Sequence, residues 1–178
     1  MVPAAERPRV VDSLRALQAD GLVQRLGIAG GCGVELDGFI ESGAFDMMML
    51  FRRVDPVILD GVGTEVPRVR RVGMTIYGAS PLHMGLLGAR HLQFVRERPD
   101  WVWGPQIDRA MRLQTLAEKH GMSLTTLAHR FIFGVDELDR VVIGASNRRE
   151  LESALADFAS GPLPQVMFDA VCDLNTVL

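Results

Sequence analysis

The spacing of apolar positions changes period several times along the chain. Val11, Leu14 and Leu17 recur at three-residue intervals, the spacing of one helical face, and Ala19-Asp20-Gly21 supplies a helix stop. The run from Val23 to Ala29 then predicts a strand, ended by Gly30-Gly31. Leu36, Phe39 and Ile40 form a short helical face before a second strand, Phe45 to Phe51. The next connection, Asp55 to Arg70, is rich in Gly and Pro and is expected to be partly irregular. A third strand, Val72 to Tyr77, breaks into Gly78-Ala79-Ser80-Pro81-Leu82. After a loop with Trp101, Trp103 and Pro105, helical spacing returns from Ile107 to His120 and is closed by Gly121. It resumes from the N-cap candidate Ser123 through Leu127 and Phe131. A fourth strand, Arg140 to Ile143, leads through Gly144-Ala145-Ser146-Asn147 into a helix running to about Phe158. Pro164 to Leu178 has apolar helical spacing again and is expected to cover part of an open sheet face.

Strand and helix signals that alternate in this way predict an α/β fold of about four parallel βα units. Three of the strands end in turns of small residues: Ala29-Gly30-Gly31, Gly78-Ala79-Ser80 and Gly144-Ala145-Ser146. In parallel α/β folds that edge takes ligands, because small residues let a ligand approach the backbone and helix N-termini attract anions.

Composition narrows the class without changing it. With 178 residues, 48% hydrophobic and 23% charged, the chain is expected to form a single domain over residues 1–178, with 162–178 as a C-terminal extension. A net charge of −3 gives no electrostatic footprint for nucleic acid or anionic lipid. Cys32 and Cys172 are too few and too far apart for a disulfide framework or a metal cluster. The opening MVPAAERPRV lacks the apolar core of a signal peptide, and no stretch reaches the roughly 18 apolar residues of a membrane span. A cytoplasmic setting is expected.

Chemically useful residues are sparse. His83 follows Ser-Pro-Leu and is the candidate acid or base, since imidazole titrates near neutrality. His91, His120 and His129 share no metal-ligand spacing and are expected in helices or at helix ends. Asp46 and Asp55 flank the second strand, where turn or capping roles are expected. Met47-Met48-Met49 reads as strand packing or as the lining of an adaptable apolar pocket. Arg52 and Arg53 stand where they would meet an anionic ligand or pair at the surface.

The segments ADGLVQRLGIAG, FDMMMLF, RVGMTIYGASPLHMGLL and RVVIGASNRRELESAL, in this order, resemble the last four strands of the aldo/keto reductases. The likeness is to the branch of L-galactose dehydrogenase and D-threo-aldose dehydrogenase, where Ser-Pro-Leu-x-Met-Gly-Leu-Leu is followed by Trp-x-Pro, here Trp103-Gly104-Pro105. The resemblance implies half of a TIM-type (β/α)8 barrel, the C-terminal half, and NADP as cofactor. It implies that Ser80, Leu82 and Gly85 wrap the cofactor pyrophosphate. Gly144, Ala145, Ser146 and Arg149 would stand at the adenosine phosphate, with no metal involved. Three substitutions disturb the pattern: Ala29 stands for the usual serine, and Glu150 and Ala154 stand where Gln and Asn commonly face the adenosine.

The family's catalytic Asp, Tyr, Lys and His come from the first four barrel strands, for which this sequence offers no counterpart. Tyr77 and Lys119 are its only tyrosine and lysine, one in a strand and one at a helix end. The expected function is an NAD(P)-linked oxidoreductase half-barrel acting on a small molecule, completed by a homo-oligomer or a partner chain. The alternatives are a half-barrel enzyme of another class, a lyase, isomerase or cyclase using His83, or a non-catalytic binding protein.

Overall fold

The computed structural model describes residues 3–30 and 34–176. Gly31 and Cys32, and the last two residues of the C-terminal pattern, lie outside them. Four strands, β1 (Gly27–Gly30), β2 (Met47–Phe51), β3 (Thr75–Ala79) and β4 (Arg140–Val142), form one parallel sheet in the order β1-β2-β3-β4. The helices are α1 (Arg7–Ala19), α2 (Val34–Glu41), α3 (Asp60–Gly63), α4 (Glu65–Arg71), α5 (His91–Glu97), α6 (Gly104–Lys119), α7 (Leu124–Ile132), α8 (Arg148–Ala159) and α9 (Gln165–Thr176).

Because each strand pairs with the next in sequence, the winding never reverses. Repeated right-handed crossovers of one direction stack their helices on one face of the sheet and leave the other as the interior of a barrel. Burial follows that division. Met48, Leu50 and Ile76 point to the helical side and are fully buried with Ile107, Leu113, Leu127 and Phe131. The neighbouring register row, Ala29, Met49, Tyr77 and Arg140, faces the other way and is only half covered or exposed. Gly78 sits on the helical side, where a Cβ would come within 2.5 Å of Leu138 and 3.3 Å of Ile132, so the missing side chain sets how closely that layer approaches. Among the described residues β1 and β4 each pair on one side only, so both sheet edges are open.

Two aspartates fasten the amino-terminal edge. Asp46 accepts the Leu26 N–H at 2.7 Å, and Asp139 accepts the Ile76 N–H at 2.7 Å while holding Arg70 through both oxygens at 2.7 and 2.9 Å. The Arg70 guanidinium, with that backbone N–H, holds the Asp139 carboxyl below the usual carboxylate range.

Four segments depart from the sequence expectation. The first strand begins at Gly27 rather than Val23, because Gln24 and Arg25 are exposed and backbone bonding to the neighbouring strand starts at Leu26. The third begins at Thr75, after Gly73 turns the chain at φ +76°. The stretch from Asp55 to Arg70 holds two helices rather than irregular chain; Pro67 falls in the first turn of α4, where its missing N–H has no helical acceptor to lose. The C-terminal segment lies with the helices and not over the inner face: Met167 and Val171 are buried in the helical core and Phe168 stacks on Phe131 at 4.7 Å.

Candidate functional site

At the carboxyl edge the chain leaves β2 and β3 through non-glycine residues in the left-handed region: Arg52 at φ +56°, Ser80 at +65°, His83 at +47° and Met84 at +58°. Each such residue costs about 1–2 kcal/mol and persists only where its surroundings hold it. The brace here is a buried pair. His83, 1% exposed, directs Nδ1 at the Asp55 carboxylate 2.8 Å away, and Asp55, 0% exposed, also accepts the N–H groups of Val57 at 2.8 Å and Ile58 at 3.1 Å. The carboxylate thus ties the loop after β2 to the turn after β3.

The other ring nitrogen, Nε2, stands between groups of opposite polarity. Arg52 Nη2 lies at 3.2 Å and the Gln106 Oε1 at 3.3 Å. Unprotonated, Nε2 accepts from Arg52; carrying the proton, it donates to Gln106. Arg52 keeps its own Nε sealed and without a protein partner. A buried N–H of that kind costs its desolvation.

Within the turn, Ser80 O accepts the His83 N–H at 2.9 Å and Ser80 Oγ accepts the Met84 N–H at 3.4 Å. Gly85 has φ +94°, and a Cβ there would press on Arg90 at 3.1 Å, so the position demands glycine. Leu82 is half-buried. Gly144, Ala145, Ser146 and Arg149 are exposed after the adjacent strand β4, so the two turns share one edge. The amino end of α8 is already occupied: Asn147 Oδ1 accepts the Glu150 N–H at 3.0 Å, and the Glu150 carboxylate accepts the Ser146 N–H at 2.7 Å. An incoming phosphate would meet that carboxylate.

The remaining expected residues separate. Tyr77 stands on the half-covered inner face, and its hydroxyl makes no hydrogen bond among the described residues. Lys119 is exposed at the last position of α6, about 20 Å along that helix from Gln106 at a rise of about 1.5 Å per residue. His91 opens α5 and His120 is the residue just after α6, whereas His129 is buried in α7 against Asp157 at 2.8 Å. Asp46 works at the amino edge, far from this site. Asp55 and Gln106 carry the site: Asp55 fills the turn role expected of it through the Val57 and Ile58 N–H groups, whereas its pairing with His83 and the part of Gln106 escaped the sequence reading. The available signal was Gln106 and Arg109 on the stripe of Ala110, Leu113 and Ala117, polar residues where helical spacing requires apolar ones.

Beside the pair lies a cavity of about 580 Å³ between α3, α6 and α9, with Arg53, Trp103, Gln106 and Arg109 in its wall. At its rim Arg53 meets Asp60 at 2.7 Å, and burial still raises the Asp60 carboxyl above its ordinary value. Among the described residues no group of His, Cys, Asp and Glu could hold a metal ion, and no helix is long and apolar enough to cross a membrane.

The aldo/keto reductase family model matches residues 2–176. An aldo-keto reductase of Pseudocercospora fijiensis (strain CIRAD86) is 32% identical over 134 residues, which cover 61% of this chain and 44% of that protein. Among solved structures, the glycerol dehydrogenase AKR11B4 from Gluconobacter oxydans superposes with a TM-score of 0.65 at 18% identity, over 92% of this chain and 52% of that one. The second likeness is one of fold. The chain spans about half the length of each relative.

Proposed function

Because the chain belongs to the aldo/keto reductase family, we propose that it is the cofactor-gripping half of an NAD(P)-linked oxidoreductase barrel whose proton-donating residues come from a partner chain. The observation that carries the reading is the braced turn after β3, standing on a sheet open at both edges. Ser80, Leu82 and Gly85 would hold the pyrophosphate there. Gly144, Ala145, Ser146 and Arg149 would take the adenosine end. Glu150 opposes a 2′-phosphate at that end, and the exposed Arg149 offsets it. When bound, the dinucleotide supplies or accepts the hydride.

Carbonyl reduction also needs an acid beside the carbonyl oxygen. Tyr77 has no lysine or histidine bonded to its hydroxyl, and Lys119 lies at the far end of α6. The edge of β4 supports an external source for that acid. A groove of about 500 Å³ runs along it, and Leu151, Leu155 and Phe158 of α8 are 49%, 58% and 65% exposed on one helical face. A partner carrying the complementary βα units would cover this face and pair the free strand. The test is a fluorescence titration with NADH and NADPH, combined with a glyceraldehyde reduction assay on the isolated chain. Saturable binding without turnover is expected. Binding of neither nucleotide overturns the cofactor role, and turnover by the chain alone overturns the need for a partner.

A second reading, acid/base chemistry centred on His83, has the Asp55 pair in its favour. With the ring 1% exposed, any such role passes through Arg52 and not by direct contact with substrate.

A further inference from the structure

Among the described residues Arg109 is a buried cation with no ion-pair partner. It is 6% exposed, and its Nη1 donates to the Val57 carbonyl and to Asn175 Oδ1, the latter at 3.1 Å. Those two bonds consume one nitrogen of the fork. Nε and Nη2 have no hydrogen-bond partner among the described residues, and Arg109 lines the cavity of about 580 Å³. The carboxylate that acts on Arg109 from nearby is Asp55, whose oxygens are spent on His83 and on two backbone N–H groups. Arg112 adds a like charge, and burial pushes the Arg109 guanidinium below its ordinary value. At the rim Arg53 is neutralised by Asp60. Among the described residues one desolvated positive charge therefore remains, with three N–H donors in the planar arrangement that matches a carboxylate.

The rest of the wall selects the body of the ligand. Val57, Ile58, Leu59, Val62 and Trp103 are apolar, and Cys172 stays a neutral thiol because burial raises it. A cavity of this size falls in the range of small-molecule sites. We propose that this cavity binds a small organic carboxylate with an apolar or aromatic body, its carboxylate on Arg109 and its body against Trp103. The site lies outside the sheet, behind the turn that the cofactor reading uses, and does not depend on that reading.

Trp103 in the wall reports occupancy, so the binding is measured by tryptophan fluorescence in a Trp101→Phe background, with 4-phenylbutyrate as the probe and 4-phenylbutanamide as its neutral counterpart. The acid should quench saturably, and the amide should bind at least tenfold more weakly. Arg109→Gln removes the charge while leaving a polar amide on the same stem, and should erase the preference for the acid. Gly63→Phe provides a variant that spares Arg109. Gly63 lines the cavity, and a Cβ there meets nothing within 4 Å, so the ring would fill open space and should abolish binding of both probes. Equal affinity for acid and amide, acid binding unchanged in Gly63→Phe, or no saturation at all would each overturn the proposal.

Discussion

Replacing Asp55 should damage the fold in proportion to the acceptors that are lost. In Asp55→Ala two buried donors lose their acceptor at once, the Val57 N–H and the His83 Nδ1–H, while the half-buried Ile58 N–H is left with the Asp55 backbone carbonyl at 3.1 Å. An orphaned buried donor costs about 1–3 kcal/mol, and breaking a buried pair about 3–5 kcal/mol in total. For a chain of this size that corresponds to a fall in Tm of about 6–20 °C. Asp55→Asn is the informative contrast. Its Oδ1 still accepts both backbone N–H groups, and its amide nitrogen donates to Nδ1 once the ring proton moves to Nε2, where the Gln106 Oε1 waits at 3.3 Å. Only the half-buried Arg52 loses an acceptor, for about 1–2 kcal/mol. Urea denaturation followed by circular dichroism, with a common m-value, gives both numbers. If Asp55→Ala costs under about 1 kcal/mol, or no more than Asp55→Asn, the carboxylate does not brace the turn and the argument fails.

Three further outcomes follow from other contacts. Asp139→Asn should cost about 1 kcal/mol, discounted because Arg70 is 42% exposed. Since the folded carboxyl is held below its unfolded value, that difference is complete above about pH 4 and closes as pH falls through the folded value, as urea titrations of both proteins at successive pH values would read. Glu150→Gln keeps an acceptor for the Ser146 N–H and removes one opposing charge, so NADPH binding relative to NADH should tighten about fivefold in the fluorescence titration. Leu155→Glu with Phe158→Glu should suppress association at high micromolar concentration in sedimentation velocity while leaving Tm within about 1 °C, because both side chains are mostly exposed. Association equal to that of the native chain would remove α8 from the proposed interface.

Much of the fold was legible where one-dimensional rules suffice. β2 and β3 appear as apolar runs because helices cover one side of them, and Ser123 caps α7 by accepting the Thr126 N–H at 3.0 Å, as its position before the helical face predicts. α3 and α4 were hidden because Gly61, Gly63 and Pro67 imitate a loop, although burial of Val66 and Val69 outweighs their propensity. His83 could be singled out from its turn; Asp55, 28 residues earlier, could not be joined to it, since nothing in local spacing records a contact across two strand ends. Gln106 and Arg109 were absorbed into an amphipathic helix, because a buried cation and an exposed one look alike until the cavity beside them is known.

The two aspartate clamps at the amino edge also set an order of assembly. Asp46 reaches back 20 residues to Leu26, whereas Asp139 reaches back 63 to Ile76. On loop-closure entropy alone the longer reach costs about 1 kcal/mol more, and it closes only after α5, α6 and α7 have found their places between β3 and β4. β1 and β2 therefore form the early seam, and β4 is the last strand to dock. β4, one of the two open edges, is then also the latest strand to exist, so a partner of the kind proposed above would find that edge only once the rest of the chain has folded.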